Sequence, residues 1–78
     1  YKQRDMKEDK YLKKLGERIA NRRKELGLSQ ENLAKLLGVH RTAVTRIELG
    51  NTNTSIGGLR LIASVLKIKL SELVDIED

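Results

Sequence analysis

The chain has 78 residues, 38% hydrophobic and 35% charged, with a formal net charge of +5, two Tyr, and no Phe, Trp, Pro or Cys. A chain this short builds one compact domain with a marginal core of Leu, Ile, Val and Ala, which suits short close-packed helices and makes oligomerisation an expected further source of stability. The absence of cysteine excludes disulfides, thiol catalysis and Cys-ligated metal. With no apolar run to span a bilayer or serve as a signal peptide, residence in the cytoplasm is expected.

Residues 1–10 read as a charged N-terminal extension and 11–78 as the folded domain. The chain starts without Met, and Met6 is a sensible start, so whether residues before it are native is left open. From Tyr1 to Leu26 there are ten Lys or Arg against five Asp or Glu, whereas the terminal "SELVDIED" has four acids and no base. The basic end therefore suits polyanions, nucleic acid first and an anionic membrane second.

The first helix carries Leu12, Leu15, Ile19 and Leu26 on one stripe and closes at "KELG", where Gly27 suits the left-handed turn that ends helices. The second opens at Ser29, a good N-cap, with Leu28 and Leu33 placed as a hydrophobic staple, and closes at Gly38. The third lies in "GVHRTAVTRIELG" and closes at Gly50. At about 100° per residue, Arg41, Thr42, Thr45 and Arg46 fan over roughly 140° of one side, with Ala43, Val44 and Ile47 opposite. One face serves the protein, and the other is offered to something outside.

"NTNTS" is a polar loop, after which Leu59, Ile62, Ala63 and Leu66 in "IGGLRLIASVLK" keep helical spacing, and a last short helix fits "LSELVDI". No run combines β-branched residues with clean alternation, so strands are not expected. The expected fold is all-α, a compact domain of five helices. A short turn at Gly38 favours a crossing near a right angle, and Ala34 lets the third helix approach the second, which makes this pair a helix-turn-helix.

The stretch "LGERIANRRKELGLSQENLAKLLGVHRTAVTRIELGN" resembles the lambda-repressor-like, Cro-type helix-turn-helix proteins of phage and bacteria, and the resemblance runs from about Leu15 to Val74. Its specific marks are G-L-S-Q, a small residue four positions after the Gln, G-V, and I-E-x-G. The resemblance implies that Gln30 binds a phosphate and that Arg41, Thr42 and Arg46 enter the major groove of double-stranded DNA. The chemistry agrees, since Arg forks onto guanine O6 and N7, and Thr bonds a base edge or touches a thymine methyl. Thr45 shares that face and joins the base contacts. The resemblance also implies that Arg23 and Glu48 form an inward structural ion pair.

Asn51, Thr52, Asn53 and Ser55 have the polar side chains and open backbone for further phosphate contacts, beside the N-terminus of the fourth helix. Gly57 and Gly58 each cost a helix about 1 kcal/mol relative to Ala, which a close approach of the backbone to DNA would explain. The sequence departs from the family at His40, where a Ser, Thr or Asp cap is common, at Thr54, often Pro, and at Lys67 and Lys69, often Gly and Ser. His40, the lone histidine, reads as an exposed residue rather than a ligand or catalyst.

Leu61, Val65, Ile68, Val74 and Ile76 supply more apolar surface than two short helices need, and an isologous homodimer through them is expected. The expected function is that of a homodimeric transcription regulator, such as a phage repressor or a restriction-modification controller protein, with its recognition helix at about 41–48. The charge run "YKQRDMKEDKYLKK" usually means a solvated helical extension, and its sharper reading is a basic arm touching the DNA backbone, as in some relatives. The alternative is an antitoxin or adaptor that uses the same fold to bind protein. No nucleophile–base pair, phosphate-cradling loop or metal cluster suggests an enzyme, and no cofactor, small-molecule ligand or metal is expected.

Overall fold

The computed structural model describes residues 6–77; residues 1–5, whose nativeness the sequence leaves open, and Asp78 at the end of the acidic tail lie outside it. The described residues form five helices, α1 (Met6–Glu25), α2 (Gln30–Leu37), α3 (Arg41–Leu49), α4 (Ile56–Val65) and α5 (Leu70–Val74). The first helix is not short. It has 20 residues and runs without a break through the expected boundary at residue 10, because Tyr11, Leu12 and Leu15 extend the stripe by which it packs.

Ile19, Leu33, Val44, Leu66 and Leu73 are fully buried, and each comes from a different helix or its immediate end. Every helix thus contributes one residue to the centre of the core, the arrangement that lets aliphatic side chains alone fill a small interior. Helix α3 packs on both α1 and α2, α4 on α2 and α5, and α5 returns to α1.

Local chemistry sets the helix ends. The Ser29 hydroxyl accepts from Asn32 N at 2.9 Å while Asn32 Oδ1 accepts from Ser29 N at 3.1 Å, a reciprocal capping box that starts α2. Gly38 stops it at φ 73°, and Val39 N donates back to Ala34 O at 3.0 Å. The three residues between α2 and α3 leave the two helices no room to run antiparallel.

Two glycines let α1 and α3 touch backbone to backbone. A Cβ on Gly16 would press into the carbonyl oxygens of Glu48 and Ile47, and a Cβ on Gly50 would stand 2.7 Å from Lys13 Cα. Gly50 also has φ 75°, which an L side chain adopts only under strain. The sequence pattern did not single out Gly16, although a glycine inside a 20-residue helix costs about 1 kcal/mol and therefore asks for a packing reason.

The last helix has only five residues and ends at Val74, two residues short of the expected Ile76. One stripe of α1 supplies what it lacks. Tyr11 Oη donates to Val74 O at 2.7 Å, Lys14 Nζ to Glu77 O at 2.9 Å, and Arg18 Nη1 to Glu72 O at 2.6 Å and Asp75 O at 3.2 Å. Arg22 donates to Leu66 O at 2.9 Å and Lys67 O at 3.0 Å, across the turn where Lys67 holds φ 56°. Spacings of three and four put these side chains on one face, so α1 satisfies carbonyls that the C-terminal segment leaves open.

The adjacent glycines of α4 have different reasons. A Cβ on Gly58 would meet Thr54 Cγ2 at 2.7 Å, a packing reason beside the expected approach of DNA, whereas a Cβ on Gly57 would meet only Ser55 Oγ, at an ordinary 3.9 Å. Gly57→Ala is therefore expected to raise stability by about 0.5–1 kcal/mol through helix propensity, measured by urea denaturation. A loss of stability would show that the position is constrained from within the domain.

Candidate nucleic-acid interface

Helix α3 faces two ways. Val44 is buried, Ala43 and Ile47 are partly buried against the core side, and Arg41, Thr42 and Arg46 are exposed on the opposite side. Thr45 is the least exposed of the expected outward set. It is partly buried, because its Oγ1 donates to Gln30 Oε1 at 3.0 Å and lies 3.3 Å from Arg41 O.

Behind that face lies a continuous polar network. Arg23 Nε donates to Glu48 Oε2 at 2.6 Å and Nη2 to Glu48 Oε1 at 3.0 Å, a two-pronged pair with side-chain accessibilities of 9% and 6%. Arg23 Nη1 also donates to Leu28 O at 2.8 Å, so the pair ties α1 to α3 and to the start of α2. Gln30 Nε2 donates to Glu48 Oε1 at 2.9 Å, and Thr45 completes the chain.

The Glu48 hydrogen bond, joined by its charge, holds the Arg23 guanidinium above its ordinary value against the opposing effect of burial. A base whose folded value is raised contributes stability throughout the pH range below its unfolded value and loses it only as pH rises through the folded one. For an arginine that window lies far above neutrality, so the pair's arginine adds no pH dependence near pH 7.

His40 is exposed, as expected, and it also caps α3. Its Nδ1 accepts from Thr42 N at 3.1 Å and lies 2.8 Å from Thr42 Oγ1, so the imidazole performs the task that a shorter polar side chain performs at most N-caps. Ser55 caps α4 in the same way, its Oγ accepting from Gly58 N at 3.1 Å, which leaves the hydroxyl proton available. Asn51 and Asn53 are exposed, while Thr52 and Thr54 line a shallow depression with Ala43, Arg46 and Ile47, which sets the loop directly beside α3.

The helix-turn-helix family model matches residues 19–73, a span that contains α2, α3, α4 and most of α5. The chain belongs to the helix-turn-helix family. Among curated proteins a sequence comparison finds no match. Among solved structures, the restriction-modification controller protein C.AhdI from Aeromonas hydrophila is 40% identical with a TM-score of 0.76, covering 80% of this chain and 94% of its own. A chain of the SinR protein/SinI protein complex is 37% identical with a TM-score of 0.73, covering 78% of this chain and 60% of its own. An HTH_3 family transcriptional regulator from Vibrio cholerae is 30% identical with a TM-score of 0.76, covering 85% of this chain and 37% of its own.

In this helix-turn-helix regulator, the outward face of α3 carries one residue that sequence reasoning missed. Leu49 is 57% exposed and follows Thr42 by seven positions and Thr45 by four, which places it on the same helical side. Its apolar character hid it, although the spacing was a usable signal. Of the apolar residues expected at a dimer interface, Leu61 is 48% exposed, whereas Val65, Ile68, Val74 and Ile76 are partly buried against the domain's own core. Among the described residues there is no cluster of His, Asp or Glu able to hold a metal, and no helix long and apolar enough to cross a membrane.

Proposed function

We propose that the protein regulates transcription by reading double-stranded DNA as a homodimer. The helices α3 of its two copies enter successive major grooves about 34 Å apart on a two-fold operator. The observation that carries this reading is the exposure of Arg41, Thr42 and Arg46 on one side of α3, behind which the Arg23–Glu48–Gln30 network holds the start of α2 level with that face. The basic composition supplies attraction to phosphate. Gln30 retains one amide proton beyond its bond to Glu48, which suits a phosphate oxygen, and the Ser55 hydroxyl suits another. Leu61, flanked by the half-buried Val65, Ile68, Val74 and Ile76, forms the contact between copies.

The test is selection from a random duplex library at near-physiological salt. A palindrome with half-sites one turn apart supports the dimeric reader, whereas salt-sensitive binding indifferent to sequence would point to the charge acting alone. On the selected site, Arg41→Ala or Arg46→Ala is expected to cost about 1–3 kcal/mol and relax one base position each. Gln30→Ala should instead weaken binding to random duplexes as well, through the lost phosphate contact. Equal losses on specific and random duplexes for the arginine variants would place both arginines on the backbone.

A further inference from the structure

A hydroxyl has one proton to donate and two lone pairs with which to accept, and it rotates, so a threonine on a reading face has no inherent hydrogen-bonding direction. The two threonines of α3 have one, because their surroundings hold both protons inward. His40 Nδ1 accepts the Thr42 backbone N–H, so this nitrogen carries no proton and the neutral ring bears its proton on Nε2. Thr42 Oγ1 lies 2.8 Å from the same nitrogen. An oxygen lone pair turned toward the Nδ1 lone pair at that distance would be repelled, so the hydroxyl donates to Nδ1 and shares that nitrogen's single lone pair with the backbone N–H, at the shorter of the two distances.

For Thr45 the direction comes from further back. The Glu48 carboxylate, paired with Arg23, can only accept, so the end of the Gln30 amide that faces it at 2.9 Å is the NH2 group. The other end, the carbonyl oxygen, then faces Thr45 and takes its proton at 3.0 Å. The alternative acceptor, Arg41 O at 3.3 Å, is also part of the protein.

We propose that, if α3 reads DNA as set out above, its face divides into fixed donors, Arg41 and Arg46, and fixed acceptors, Thr42 and Thr45. His40 and Gln30 act as positioning residues that hold the two hydroxyl protons away from the groove. In the major groove the only base donors are the amino groups of adenine N6 and cytosine N4, whereas guanine and thymine offer oxygen there. The threonines therefore select an amino base, A or C, on the strand they touch, beside guanines taken by the arginine forks. The operator half-site is accordingly a guanine pair with two amino-base positions.

The experiment is the random-duplex selection run on the full chain and on Thr42→Val, Thr45→Val, His40→Ala and His40→Asn, with thermal melts confirming that each is folded. The expected wild-type site has two positions per half-site at which A or C is favoured about three- to ten-fold, the span of one net hydrogen bond. Each Thr→Val variant erases one of them. His40→Ala frees the Thr42 proton and admits G or T at that one position, while His40→Asn, whose amide oxygen accepts both protons, keeps the wild-type preference.

A preference for G or T at a position that Thr42→Val or Thr45→Val erases overturns the proposal. So does a wild-type site that neither variant changes; in both cases the DNA-reading function stands. If the wild type recovers no sequence at all, both fall together.

Discussion

Replacing Glu48 with Ala is expected to remove about 3–5 kcal/mol of stability, the cost of leaving one partner of a buried pair uncompensated. Arg23 would remain with its guanidinium shielded from water and only Leu28 O to accept from it. A chain of this length has roughly 4–12 kcal/mol to lose, so the variant should be largely unfolded by modest urea or warming. Equilibrium urea denaturation followed by circular dichroism measures this, and a loss under about 1 kcal/mol would show that the pair is solvated in solution. The double variant Arg23→Met with Glu48→Leu should recover most of the loss, because it removes both charges from the same space. It should not recover DNA binding, since Gln30 would lose the acceptor that orients its amide.

Gly16→Ala is expected to cost about 3 kcal/mol, at the upper end for overpacking, because the obstacles are backbone atoms and cannot rotate away. In an isolated helix the same change would be stabilising by about 1 kcal/mol, so the sign of the measured effect is itself diagnostic. The added methyl would push α1 from the last turn of α3, where the Glu48 and Ile47 carbonyls lie against Gly16. Operator affinity should fall along with the melting temperature, since α1 and α2 together fix the inclination of α3. A variant as stable as the parent would mean that the two helices can separate without cost.

Much of this molecule is legible in one dimension. The stops at Gly38 and Gly50, the cap at Ser29 and the outward set Arg41, Thr42 and Arg46 all follow from local rules, because helix periodicity and capping depend on residues within four positions of one another. The buried ion pair was legible only through resemblance, since nothing in the spacing of residues 23 and 48 marks them as neighbours. The partner of Thr45 was hidden for the same reason: its angular position on α3 is outward, but a side chain from another helix, Gln30, takes its hydroxyl proton.

By itself the sequence determined five helices, a helix-turn-helix and a basic chain suited to nucleic acid, since charge, periodicity and caps are properties of composition and near neighbours. Only the tertiary structure decided that α1 touches α3 backbone to backbone at Gly16 and that the stripe Tyr11, Lys14, Arg18 and Arg22 holds a last helix too short to stand alone. It alone brought the hydroxyl of Thr42 against His40 Nδ1 and that of Thr45 against Gln30 Oε1. These depend on groups brought together from far apart along the chain, as with Gly16 and Glu48 or Arg22 and Leu66, or on a hydroxyl whose partner is itself held by another side chain. Hydrogen-bond direction propagates through contacts in space, and no local rule along the chain encodes it.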